Sequence, residues 1–339
     1  MKEFTYKKYS PEYKQQVLDL ESSLWHFDDD KKLKYFKWKY EDNPYTDSPE
    51  AYIALDGDKV VAFRGYMVHQ CQINGNVFYI AGAGDTVTHP EYRRLGLFHK
   101  LNSYSIESMK NSGSISVCIS SSSGGATMKS NILLGMKPIC ERKHFFRFNL
   151  KGIFRSFFHK ETVINEINEY KNNQRFVLSL TCKSKDMASV PFEYKQISHI
   201  HDETYYSYRY ANPLAKYVFL YKYDNKNLLQ AYIVLLSKSQ NRYDLIDFNG
   251  SETDISQLLN WGDKKLMPKF ILLWSVGRNN CIINNRLKFG FISLNFIINR
   301  LKKFRKPPFL VYNLNEKLLN IDVTKTDNWQ LYKIISDEI

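Results

Sequence analysis

The chain repeats itself, and that limits its fold more than any other feature. "FTYKKYS" at 4–10 returns as "FEYKQIS" at 192–198, and "WKYEDNP" at 38–44 returns as "YRYANP" at 208–213. "AYIALDGDKVVAFRGYM" (51–67) resembles "KYVFLYKYDNKNLLQAYIVL" (216–235), each reading as strand, polar turn and strand. "NILLGMKPI" (131–139) answers "NRLKFGFISL" (285–294). The matches keep one order, so the 339 residues are expected to hold two copies of one unit. Domains are expected at 1–150 and 176–339, joined by a linker at 151–175.

Periodicity supplies the elements of the first copy. Residues 11–25 place Val17, Leu20 and Leu24 on one helical face. Residues 33–40 form a second short helix, stopped at Asn43-Pro44. "EAYIAL" and "KVVAFRGYMVHQCQI" pair across "DGD", and "NVFYIAGAGDTVTH" follows as a long strand whose glycines imply a bulge. A helix from Leu97 ends at Gly113, "SISVCIS" is a buried strand, and a helix over "GATMKSNILL" ends at Gly135. The alternation predicts a mixed α/β layer fold.

Composition removes several classes of function. Five scattered cysteines without a CxxC pair exclude a disulfide framework and a cysteine zinc site. His199 and His201 form an HxH with no further ligands, so no metal is expected. No apolar run approaches the ~20 residues of a membrane span, and the expected compartment is the cytoplasm. Positive charge is concentrated late: residues 1–150 hold 20 Lys and Arg against 17 Asp and Glu, and the remainder 28 against 18. The basic half, with its cluster "NRLKKFRKPPF" (299–309), suits a polyanion or a solvated surface, and nucleic acid is not an expected partner.

"DTVTHPEYRRLGLF" (85–98) carries the chemistry. A strand hands over to a helix through Arg93, Arg94 and Gly96, where free amides, helix dipole and positive charge suit a phosphate. "GAGD" (82–85) lacks the third glycine of a dinucleotide loop, and no GxxxxGK[ST] occurs.

"TVTHPEYRRLGLFHKL" resembles the acetyl-CoA signature of the GNAT superfamily of acyl-CoA N-acyltransferases, and "NILLGM" is similar to its segment before a late Gly-Phe. The resemblance covers roughly 1–150 and implies tandem GNAT-like folds, acetyl-CoA as donor and a small-molecule amine acceptor. It also implies a CoA site from Val87, Thr88, His89, Arg93, Arg94, Leu95, Gly96, Leu97 and Phe98. The amides of Arg94 to Phe98 hold the pyrophosphate, and the pantetheine arm pairs with Val87 and His89 where two strands splay. Phe98 stands where that signature has Gly or Ala. Asn131 stands where a tyrosine acid often does, and is expected at the pantetheine arm or the thioester.

Acyl transfer needs a base, and Asp85 lies two residues before Val87 on the same strand face. Glu21, Glu107 and a water chain are other candidates. Trp38 and Tyr40 are expected at the acceptor rim, stacking on a sugar or nucleobase. "SSSSGG" (120–125) leaves room for the arm. The second copy offers "DLIDFNGSETDI" (244–255), whose acidic residues repel a pyrophosphate, so it reads as a degenerate GNAT-like domain. The preferred acceptor is a nucleotide-linked amino sugar of surface-polysaccharide synthesis. A Fem-like aminoacyl transferase and a non-catalytic CoA- or nucleic-acid-binding protein stay open as alternatives.

Overall fold

The computed structural model describes residues 3–23, 28–120, 125–140, 143–157, 164–194, 196–238, 241–276, 281–294, 308–315 and 321–332. Residues 121–124 of the serine-rich segment and 299–307 of the basic cluster therefore lie outside the described residues. Seventeen described strands carry the architecture. The first six are β1 (Thr5–Lys8), β2 (Ala51–Asp56), β3 (Lys59–Ile73), β4 (Asn76–Thr88), β5 (Val117–Ser120) and β6 (Lys137–Cys140). Next come β7 (Lys143–Phe148), β8 (Ile167–Lys171), β9 (Gln174–Ser179), β10 (Ser198–His199), β11 (Tyr217–Tyr223) and β12 (Leu229–Lys238). The last are β13 (Arg242–Asn249), β14 (Phe270–Val276), β15 (Ile292–Ser293), β16 (Phe309–Asn313) and β17 (Leu331–Tyr332).

Two mixed sheets result. The first runs β1-β2-β3-β4-β5-β16-β6, with β10 also on β3, and the second runs β15-β7-β14-β13-β12-β11-β9-β8, with β17 also on β14. Each contains one parallel pair of named strands, β4 with β5 and β13 with β14. A long helix follows the first strand of each pair, Leu97–Ser112 in one half and Glu252–Leu266 in the other. The repeat seen in the sequence is thus a repeat of topology, with one exception. "FEYKQIS" does not correspond to "FTYKKYS": β1 borders β2, the strand bordering β11 is β9, and β10 joins β3 of the first sheet.

The halves also exchange strands. β7 sits in the second sheet between β15 and β14, and β16 sits in the first between β5 and β6. Burial explains why both stay: Phe145 of β7 joins the second core, and Phe309, Leu310 and Val311 of β16 join the cores of the first sheet. Boundaries at 150 and 176 follow the sequence, whereas the sheets cross it.

The repeated motifs meet face to face. Trp38 Nε1 donates to the Tyr208 carbonyl (2.9 Å), and the Tyr208 hydroxyl donates to the Lys39 carbonyl (3.4 Å). Asn43 Oδ1 accepts from the Tyr45 amide and Asn212 Oδ1 from the Leu214 amide, both at 3.0 Å, so each Asn-Pro turn closes the same way. Among the described residues, no helix is long and apolar enough to cross a membrane.

Candidate active site

β4 and β5 pair only over Ile80–Gly82 against Val117–Ile119. Beyond Gly82, β4 continues to Thr88, still bonded to β3 with Thr88 opposite Ala62, while β5 ends at Ser120. Among the described residues, the far edge of β4 from Ala83 to Thr88 therefore has no β5 partner, and the two strands part there. A bulge lies on the same stretch: Gly84 and Asp85 together oppose Gly65. Val87 turns its side chain into the core beside Val17 and Phe63. Its backbone, like that of His89 two residues on, faces β3, so the expected pairing of the pantetheine arm with Val87 and His89 is corrected.

The strand then turns into the helix. The His89 amide donates to the Val61 carbonyl (2.9 Å), and Pro90–Tyr92 make a short 3-10 turn. Arg94 and Gly96 take left-handed backbone, with φ of 67° and 75°. A side chain at Gly96 meets nothing within 4 Å, so it is the backbone conformation that calls for glycine. Arg93, Arg94, Leu95 and Gly96 are exposed, and buried Leu97 anchors the helix behind them. The first-turn amides of such a helix have no intrahelical acceptor and carry its positive pole. Arg93 Nε donates to the Thr88 carbonyl (3.3 Å), which fixes the turn to the strand end.

At the bulge, the Asp85 carboxylate meets Lys39 Nζ and the Tyr40 hydroxyl, each at 2.8 Å from Oδ2, with all three residues buried. Gly65 makes room: a Cβ there would lie 2.5 Å from Tyr40 Cζ. Glu21 completes the group, its carboxyl pushed well above the usual range by burial and then by Asp85, against the pull of Lys39. On β3, His69 is held neutral, pushed down to about 3 by burial and the charges of Arg209 and Lys39.

Three more expected placements are corrected. Trp38 is buried and stacked on Tyr208, and Tyr40 is buried and committed to Asp85, so neither ring stands at an acceptor rim. Asn131 is fully buried, its Oδ1 accepting from Asn102 Nδ2 (2.8 Å), while Asn102 Oδ1 accepts from Tyr66 (2.9 Å). That network ties helix Gly125–Leu133 to helix Leu97–Ser112, and points the Asn131 amide between them instead of at a thioester. Lys39 was missed because a lysine in an aromatic helix reads as a solvated one; its signal is its place beside Tyr40 in the repeated motif.

The second half keeps the frame and closes the mouth. β13 and β14 pair over Arg242–Leu245 and Phe270–Leu273, and Asp247 accepts from the Tyr210 hydroxyl (2.9 Å) as Asp85 does from Tyr40. Yet Ser251 caps the following helix by accepting from the Asp254 amide (3.2 Å), and Glu252 and Asp254 fill its first turn. Gly250 packs so closely that a Cβ would lie 2.9 Å from Ala231 Cα. Acidic side chains thus stand where the first half places arginines, and an anion there would meet like charge.

Residues 5–129 match the family model of the acetyltransferase (GNAT) domain. That stretch is therefore similar to a GNAT domain. Similar solved structures include one from Enterococcus faecalis described as a probable N-acyltransferase (TM-score 0.62, 8% identity, covering 93% of this chain and 74% of that one). A GCN5-related N-acetyltransferase from Anabaena variabilis matches with TM-score 0.59 and 12% identity over 92% of this chain and 73% of that one. A tandem GNAT protein of the clavulanic acid biosynthesis pathway matches with TM-score 0.55 and 10% identity, over 93% of this chain and all (100%) of that one. These likenesses establish the fold: both sheets with their helices make a tandem GNAT architecture. A search of curated proteins found no match.

Proposed function

We propose that the protein transfers an acetyl group from acetyl-CoA to the amine of a small acceptor, in the cytoplasm. Residues 1–150 hold the donor, and 176–339 are a degenerate copy that packs beside it. One observation carries this reading: the edge of β4 that β5 leaves free leads directly to the exposed turn at Arg93–Gly96, where the long helix begins. A pyrophosphate on that turn and an arm running along Ala83–Thr88 bring the thioester to the bulge.

There Asp85 takes the proton of the attacking amine, Lys39 and Tyr40 hold its carboxylate in place, and a β4 amide polarises the carbonyl. Glu21 lies close enough to share the site's proton. The amino-sugar acceptor rested on the aromatic helix and on the basic second half. With the Trp38 and Tyr40 rings buried, only the charge still speaks for it, and the proposal stops at a small amine. Calorimetry with acetyl-CoA, followed by thiol release across a panel of amines, tests it. Saturable binding and release with one acceptor class are expected; no binding of acetyl-CoA or CoA overturns it.

A further inference from the structure

Arg64 of β3 is a charge without a counter-charge. Its side chain is buried (2% exposed), and Nη1 donates to the Thr86 hydroxyl on β4. Among the described residues, Nε and Nη2 have no hydrogen-bond partner and no carboxylate lies at ion-pair distance. The guanidinium sits over the Tyr66 ring (4.7 Å to the centroid) and near that of Phe98 (5.8 Å), at the first turn of the long helix. Its field reaches across to β5, where it opposes the burial that pushes the Cys118 thiol up to about 12. Arg64 thus lies over Thr86, on the strand segment along which the thioester is proposed to lie.

A buried guanidinium with idle donors is costly unless something arrives to use them. A guanidinium serves as a fixed cation and hydrogen-bond donor, not as a proton acid. The acceptor network leaves the leaving group unserved: Asn131 is tied to Asn102 and has no proton to lend. We propose that Arg64 receives the departing sulfur of CoA as a thiolate, in place of a proton-donating acid.

This rests on the proposed acyl transfer. The amine nitrogen attacks the thioester carbon and an N–C bond forms. The C–S bond breaks, its electron pair going to sulfur, and the amine's proton passes to Asp85. Nε–H and Nη2–H of Arg64 then bond to the sulfur anion without proton transfer.

Free CoA tests this without knowledge of the acceptor. The thiolate absorbance of bound CoA is followed against pH in wild type, Arg64→Lys and Arg64→Met, with CoA affinity by calorimetry and folding by thermal melting. Wild type is expected to ionise bound CoA at a pH at least about one unit lower than Arg64→Met does, a tenfold change in ionisation constant. Arg64→Lys recovers part of the shift. Arg64→Met melts no lower than wild type, because an unpaired buried charge is gone. Equal thiol titrations in wild type and Arg64→Met overturn the inference, as does loss of CoA affinity in Arg64→Met with an unshifted thiol, which marks a phosphate contact. If wild type binds no CoA, it is the transferase reading that falls and this inference with it.

Discussion

Trp38 stacks on Tyr208 with ring centroids 5.7 Å apart and planes 24° apart. The two residues hold the same position in the two copies of one motif, so the copies join through their own repeated surface. Each side chain also bonds to the other segment's backbone. A double-mutant cycle on Trp38→Ala and Tyr208→Ala, read by chemical denaturation, is expected to give a coupling of about 0.5–1.5 kcal/mol beyond the single losses. Strict additivity would mean that the stack contributes only its buried area.

Gly96 should govern the donor. Its left-handed backbone penalises any side chain, and a carboxylate there opposes a pyrophosphate. Gly96→Glu is expected to weaken acetyl-CoA binding by at least ~100-fold, about 2.7 kcal/mol, with little change in melting temperature. Calorimetry showing wild-type affinity would move the donor elsewhere.

Asp85 couples catalysis to stability, and a second substitution separates them. Asp85→Asn should lower turnover by about 10²–10⁴-fold. It also removes the ion pair of buried Lys39, at a cost on the order of 3–5 kcal/mol. Pairing Asp85→Asn with Lys39→Met should restore much of the stability and none of the activity. Recovery of turnover in the double variant would assign the base to Glu21 or to water.

The space at Gly65 is already taken by Tyr40. Gly65→Ala should therefore push Tyr40 off Asp85 and cost about 1–3 kcal/mol. Tyr40→Phe in the same background reads the cause: if the clash is what matters, removing the hydroxyl recovers part of the loss.

Asp247 should make the second half sensitive to pH. Burial pushes its carboxyl up to about 7, while the Tyr210 hydroxyl and the Phe248 amide pull the other way. Tyr205, Tyr206 and Tyr232 surround the same site. Because the folded value lies above the unfolded one, its contribution is complete below about pH 4 and is lost as pH rises through about 7. Asp247→Asn should therefore melt higher relative to wild type at pH 8 than at pH 5. A constant difference across that range would show that Asp247 does not titrate there.

Much of this was legible in the sequence, for identifiable reasons. A repeat needs only its order to be read, and the turn at Gly96 combines a backbone demand with a charge pattern. The strand before it and the helix after it follow from periodicity, and so does the hairpin across Gly57, whose φ is 59°. The strand exchange was hidden because "KHFFRF" and "FLVYN" are apolar runs that any sheet accepts. Trp38 and Tyr40 were misplaced because an aromatic face shows that something covers it and not what. Arg64 was invisible for a related reason: an arginine inside a strand declares its burial only once the helix above it is in place.

The crossing of β7 and β16 also bears on how this protein is made and kept. As the chain leaves the ribosome, the first sheet lacks the strand between β5 and β6 until Phe309–Asn313 has been translated. The first half therefore waits on a strand made after the second. For the same reason, the second copy is not free to be discarded: a gene trimmed of it would encode a first half with a gap in its sheet.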